Sequence, residues 1–432
     1  MEVLNAITDA ANTRGVAVEH PPIDVCTCST TRSASIKQAL VAAVTKCHTS
    51  VTPKAITVSP HNDCVSAKGG PLERNLQAGI VLAAYALFLG GCAAGPESET
   101  GETPPPSEEH EVFQTDLGKA EILTDNLEAP WSVAFFHETA LISERDAARI
   151  LEMTDDGTTR EVGVVEQAES EEGEGGLLGI ALYENQLYTY LTTDSDNRII
   201  RYDLAGEPGS LELTSPKEVF TGIPAAGYHN GGRIAFGPDG MLYVTTGDAL
   251  EPSQSQDLES LAGKILRLTP DGDIPADNPF DDSPGYSYGH RNVQGLAWAE
   301  DGTLYASEFG ENEWDELNVI EAGGNYGWPE HEGPGGEPEY IDPVQQWAPA
   351  EASPSAIEIH NDTIYLAALR GQRLWEIPLE DVGTSTDYLV QEFGRLREVT
   401  TAPDGSLWIL TNNTDGVGEP DENDDLLLRI EP

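Results

Sequence analysis

From about residue 112 onward, short apolar runs alternate with turn residues and never lengthen into an amphipathic helix pattern. Six segments repeat one phrase: an apolar strand, a turn often spelled Asp-Gly, a Leu/Tyr/Val strand, then a further strand. They begin at residues 131–135, 179–182, 233–236, 295–298, 356–359 and 399–402. The turns Pro238-Asp239-Gly240, Asp301-Gly302, Asn361-Asp362 and Pro403-Asp404-Gly405 each divide two strand-like runs, and Gly or Asn there supplies positive φ. Runs 241–244, 303–306, 363–366 and 406–409 follow them, with outer strands such as 264–268 and 374–377. Repeats of roughly 40–60 residues made only of strands predict a propeller rather than a helical solenoid. A sandwich would show such strands without the recurring phrase. The predicted fold class is therefore all-β, a six-bladed β-propeller over 112–432. Strands around 113–123 are expected to pair with 426–430 and close the ring.

The chain before the repeats has another character. An apolar run at 78–89 follows Arg74, is short for a bilayer span, and ends Leu89-Gly90-Gly91-Cys92. An acidic, Pro-rich tract follows at once. This layout predicts a lipoprotein-type signal sequence at 71–92, lipidation at Cys92 and a linker at 93–111. A buried helix with an incidental cysteine would leave the polar tether unexplained. The expected location is extracytoplasmic, at the cell surface, with membrane contact only through that lipid. Residues 1–70 then precede a signal sequence, so they are expected to be a disordered or spurious leader. Cys26, Cys28, Cys47, His48, His61 and Cys64 there match no established zinc spacing.

Charge sharpens the division. The chain has 75 acidic and 23 basic residues, a formal net charge of −52. Six of those acids and seven of those bases lie in 1–92, which leaves 69 against 16 for the remainder. Such a field excludes electrostatic binding of nucleic acid or anionic membrane. Low hydrophobicity would turn it into a disorder signal, but 39% of residues are hydrophobic and a packed core is expected. Acid spread over the surface suits a protein hydrated in concentrated salt, so a halophilic source is expected. All five cysteines lie at or before Cys92, so neither disulfides nor thiolate metal sites belong to the repeat region.

A propeller does not state its function, so the loops must. Several are rich in Gly and polar residues: Gly173-Glu174-Gly175-Gly176, Tyr228-His229-Asn230-Gly231-Gly232-Arg233 and Tyr288-Gly289-His290-Arg291-Asn292. Glu308-Phe309-Gly310-Glu311, Asp315-Glu316 and Asn325-Tyr326-Gly327-Trp328-Pro329 follow. Arg370, Arg395 and Arg397 sit near the ends of predicted inner strands in a chain otherwise poor in cations. A bound anion would explain their retention, and so would surface ion pairs with nearby Glu.

These phrases resemble the soluble quinoprotein glucose dehydrogenases and their aldose sugar dehydrogenase relatives, over nearly all of 112–432. The resemblance implies pyrroloquinoline quinone and Ca²⁺ as cofactors, an aldose sugar substrate oxidised at C1 to the lactone, and an external electron acceptor. It implies His229 as general base, oriented by Asp248. An imidazole suits that role because its pKa lies near working pH. Arg291 and Asn292 correspond to the pair facing the quinone carbonyls, and Arg395 and Arg397 to arginines holding the cofactor's carboxylates. Arg370 replaces a lysine of the same duty. Calcium would be met by the carbonyls of Gly310 and Glu311, and at a second site by the Glu316 side chain and the Tyr326 carbonyl. Glu174 stands where the glucose enzymes have glutamine, and the loop 249–256 is shorter, with Gln256-Asp257 as possible wall residues. Both departures favour the broader aldose branch. Two other readings remain open on the sequence: a non-catalytic ligand- or protein-binding propeller, and a calcium-dependent lactonase-like hydrolase without need of the arginine cluster.

Overall fold

The computed structural model describes residues 112–154, 156–170 and 173–431. The expected leader (1–70), signal sequence (71–92) with Cys92, and linker (93–111) lie outside the described residues.

Among the described residues the regular structure is β-strand, apart from two single-turn 3₁₀ segments, Pro252–Ser255 and Leu379–Asp381. Twenty-five strands form six antiparallel sheets, five of four strands and one of five. Within a blade, consecutive strands pair in order outward from the innermost. The innermost strands are Pro130–Phe136, Leu177–Tyr183, Ile234–Phe236, Val293–Trp298, Pro354–His360 and Leu396–Thr401. Each coincides with one of the six repeat starts. Neighbouring innermost strands pack side by side around the ring, and Leu396–Thr401 returns to meet Pro130–Phe136.

The sixth blade uses both ends of the domain. Lys119–Thr124 pairs antiparallel with Leu427–Glu431, and Val112–Gln114 adds an edge beyond it. The pairing expected between 113–123 and 426–430 is therefore present, with Ala120 opposite Ile430.

Turn chemistry explains the hairpins. Gly240, Gly302 and Gly405 take φ of 73°, 90° and 85°, while Asn361 and Asp362 both adopt left-handed backbone at 51° and 58°. Second strands bury nearly every residue because sheets cover both of their faces, as in Leu242–Thr245 and Leu304–Glu308. Outer strands bury little: Glu212–Ile223 is mostly exposed. The apolar core is consequently a set of clusters wedged between blades, for example Leu177, Leu187 and Ile200 with Phe136, Leu141 and Ile150.

Candidate active site

The loop before Ile234–Phe236 carries the candidate base. Its Asn230 side chain accepts from Ala226 N (3.1 Å) and Asn197 Nδ2 (3.0 Å) and donates to Ala226 O (2.8 Å). Its carbonyl accepts the buried Tyr190 hydroxyl at 2.8 Å. Leaving that hydroxyl unpaired would cost about 1–3 kcal/mol, so the contact holds the loop. His229 thus sits at φ 60°, in left-handed backbone, where strain at a functional residue is common.

The His229 Nδ1 lies 2.7 Å from Asp248 Oδ1. Asp248 is fully buried and also accepts Leu250 N on Oδ1 and Trp328 Nε1 on Oδ2, both at 2.9 Å. Burial works to raise this carboxyl, but the bonds from His229, Trp328 and Leu250 prevail and hold it below its ordinary value. An ionised Asp248 accepts the Nδ1 proton, which leaves His229 Nε2 as the ring's acceptor. Space for this dyad depends on Gly247. A Cβ there would lie 1.9 Å from the His229 carbonyl oxygen.

A cavity of about 1500 Å³ opens onto this base, and Glu174, Arg291, Asn292, Arg370 and Arg395 line it with His229. Glu174 Oε2 accepts the His229 amide at 3.1 Å, and Asn292 Oδ1 accepts Gly231 N at 3.0 Å. Carboxylates crowd the outer wall, among them Asp125, Asp156, Glu419 and Asp421.

Against that acid, the arginines divide sharply. Among the described residues every arginine is ion-paired within 4.0 Å except Arg291, Arg370 and Arg397. Arg370 is exposed in the turn after the strand Thr363–Ala368, not at the end of an inner strand as expected. The Arg291 Nε is buried with no partner, and its guanidinium lies 5.5 Å from the Trp328 ring centroid. Two expected anion-holding arginines are placed differently. Arg395 lines the cavity but gives Nε and Nη2 to the buried Asp415 Oδ2 at 3.0 and 2.8 Å, so the ion-pair alternative applies to it. Arg397 is not on the cavity wall. Its guanidinium is satisfied by Asn412 Oδ1 and Gln294 Oε1, and burial, with Arg395 and Arg145 near, pushes it down to about 9 against the pull of Asp415.

Gly310 and Glu311 directly follow Phe309 of the cavity wall, in a loop shaped by one carboxylate. Glu332 Oε1 accepts the amides of Glu311, Glu313 and Trp314 at 2.9, 3.0 and 2.9 Å. With those amides turned inward, the Gly310 and Glu311 carbonyls accept no hydrogen bond from the described residues. Hard, unpartnered oxygens of this kind suit calcium. At the second expected site the two Glu316 oxygens accept Asn318 Nδ2 at 3.1 Å and Gly333 N at 2.7 Å. Burial, then Glu308, raises the Glu316 carboxyl; Asn318 Oδ1 beside it is buried without a partner, and the Tyr326 carbonyl accepts nothing among the described residues. No cluster of three or more metal-ligating side chains occurs among the described residues, so carbonyls must supply much of either site.

Sequence reasoning gave no role to several residues that the structure draws in. His290 forms a second, fully buried pair with Glu308 (2.8 Å) and stacks on Tyr326. Gln256 does not line the cavity; it bonds Asn325 and Trp328 O. Asp257 is exposed. The only sequence signal for Trp328 was its place inside the Asn-Tyr-Gly-Trp-Pro phrase.

The family model described as glucose/sorbosone dehydrogenase matches residues 127–421. Quinoprotein glucose dehydrogenase B of Acinetobacter calcoaceticus is 34% identical over 248 residues, 48% of this chain and about half (52%) of that relative. The aldose sugar dehydrogenase YliI of Escherichia coli is 28% identical over 344 residues, covering 68% and 90% of the two chains. Among solved structures, the PQQ-bound aldose sugar dehydrogenase of Streptomyces coelicolor is similar with TM-score 0.69 and 46% identity, covering 76% of this chain and all of that one.

Proposed function

The chain belongs to the glucose/sorbosone dehydrogenase family, and from that premise we propose that it oxidises aldose sugars at C1 to the lactone with pyrroloquinoline quinone. One observation carries the reading. In a chain of net charge −52, a His–Asp dyad and two guanidiniums without carboxylate partners among the described residues face a single cavity. A binding-only propeller would not need that dyad, and a metal lactonase would not need the free arginines.

His229 Nε2 takes the proton of the C1 hydroxyl, while Asp248 holds the ring by Nδ1 and stabilises the imidazolium that forms. When bound, the quinone supplies the two-electron acceptor for the hydride leaving C1. Arg370 and Arg291 attract its anionic groups, and the orphaned Arg291 Nε is the donor that such a group would satisfy. Arg395 keeps Asp415 as its partner, so this pair brings no net charge to the wall. Ca²⁺ would be held at the carbonyls of Gly310 and Glu311, and a second ion by Glu316 and the Tyr326 carbonyl.

The test is reconstitution with pyrroloquinoline quinone and Ca²⁺ in high salt, followed by dye reduction with aldoses. His229→Ala should lose about 10²–10⁴-fold in kcat while still binding cofactor, and Arg370→Ala should weaken cofactor binding. Retained turnover in the His229 variant rejects the assigned base.

The reading extends to location. The Leu-Gly-Gly-Cys layout supports an extracytoplasmic lipoprotein anchored at Cys92 that passes electrons to an external acceptor, and the dispersed acid supports work in concentrated salt. Mass spectrometry of the mature amino terminus tests the anchor.

A further inference from the structure

We infer that Trp328 is a positioning residue that couples the base to the cofactor-facing arginine, through its indole N–H on Asp248 and its ring face beneath Arg291. This rests on the assignment of His229 as the base.

Three observations converge on the side chain. First, Asp248 Oδ1 is occupied by His229 and Leu250 N, and among the described residues the donor to Oδ2 is Trp328 Nε1 at 2.9 Å. A carboxylate held by one oxygen alone can swing about its Cβ–Cγ bond; held by both, it fixes the plane of the imidazole. Secondly, the same ring faces the Arg291 guanidinium at 5.5 Å, so it sets where that cation can rest. Thirdly, the tryptophan is itself clamped. It is 8% exposed, its amide donates to Gly289 O at 2.9 Å, and its carbonyl accepts Gln256 Nε2 at 2.8 Å.

The contacts link loops of different blades. Asp248 follows the second strand of the third blade, Arg291 precedes the innermost strand of the fourth, and Trp328 follows the fourth blade's third strand. The main chains of Asp248 and Arg291 already meet, through Asp248 N on Arg291 O at 2.8 Å and the Gly247–Asn292 bridge. The indole adds the one link between their side chains among the described residues, so it sets where carboxylate and guanidinium rest relative to one another. The other charged group bonded to the base is Glu174, which accepts the His229 amide rather than a ring nitrogen. Bonds from His229 and then Trp328 are among the causes that hold the Asp248 carboxyl low. Loss of the indole N–H makes that carboxylate more basic and strengthens its hold on the imidazolium, which shifts the base's titration upward.

The experiment uses the full chain loaded with pyrroloquinoline quinone and Ca²⁺. Trp328→Phe keeps an aromatic face but removes the donor; Trp328→Leu removes both. In Trp328→Phe we expect kcat about tenfold lower, KM for the sugar within twofold, cofactor Kd within twofold, and the acidic limb of kcat/KM moved up by about half a pH unit. In Trp328→Leu cofactor Kd should also rise about three- to tenfold. In an Asp248→Asn background Trp328→Phe should add less than twofold, because its effect passes through that carboxylate. If Trp328→Phe does not fold, β-(3-benzothienyl)alanine at position 328 swaps the indole N–H for sulfur at nearly constant shape and carries the same expectations. An unmoved acidic limb with unchanged kcat, or full additivity with Asp248→Asn, overturns the inference. His229→Ala separates the two readings: if it is inactive while the Trp328 variants behave as wild type, the base stands and only the coupling role falls.

Discussion

Replacing Gly247 by alanine places one methyl group against the main chain of the base. An ideal Cβ there falls 1.9 Å from the His229 carbonyl oxygen and 2.2 Å from its carbon, where ordinary contact starts at 3.4 Å. The two segments must part by about 1.5 Å to recover that contact. Gly247 is poorly placed to yield. It is bridged to Asn292, and its carbonyl accepts Gly263 N at 2.8 Å. The main chain of His229 itself carries two weaker bonds, Ala249 N on its carbonyl at 3.2 Å and its amide on Glu174 at 3.1 Å, while its ring follows Asp248. The imidazole should therefore move, and a displacement near 1 Å at a reacting group costs about 10²-fold in rate. The folding penalty should stay near 1–3 kcal/mol, the usual range for one inserted methyl group in a packed site. The assay is dye reduction at saturating sugar, set beside a titration of cofactor affinity. We expect kcat about 100-fold lower with cofactor Kd within threefold, because Arg291 and Arg370 lie on other loops. A variant with kcat within threefold of wild type would refute the argument that this glycine makes room for the base.

Two further outcomes can be checked directly. In Glu332→Gln a neutral oxygen replaces the carboxylate that gathers three amides, so Ca²⁺ affinity by calorimetry should fall roughly tenfold; an unchanged affinity would mean that the 310–314 loop holds its shape unaided. Burial, with Glu398 nearby, pushes the Glu358 carboxyl up to about 7 against bonds from Thr401. The sign follows from a folded value above the unfolded one: the contribution is fully present below the ordinary value of 4.5 and is lost as pH rises through 7. Wild type minus Glu358→Gln stability should thus rise by roughly 2–3 kcal/mol on acidification across that window, read from denaturant melts, and a flat difference would show that this carboxyl is not the titrating group.

The blades were legible because their cause is local. Asp-Gly and Asn-Asp turns write positive φ into the chain, and every innermost strand overlaps the start of a repeated phrase. The outer strands were not, since Glu212–Ile223 is largely solvated and burial imposes little pattern on it. At the site, loop phrases announced His229, Asp248 and Arg291 because each loop needs unusual glycines and polar residues. Partnership was hidden. Nothing in the text separates Arg370, which is free, from Arg395, which Asp415 holds, or from Arg397, which Gln294 and Asn412 surround. Those choices depend on the loop after Leu407–Thr411 of the same blade and, for Arg397, on Gln294 of the fourth blade, contacts that sequence spacing does not reveal. The role of Glu332 was equally invisible, since its three amide donors lie across a turn some twenty positions upstream.

The shared sixth blade has a consequence for how the molecule is made. Lys119–Thr124 is synthesised long before its hydrogen-bonding partner Leu427–Glu431. Until that segment arrives, an unpaired edge is exposed to neighbouring chains, and the annulus stays an open arc. Closure therefore draws together segments far apart along the chain, and deleting only Leu427–Glu431 should leave five finished sheets that cannot lock.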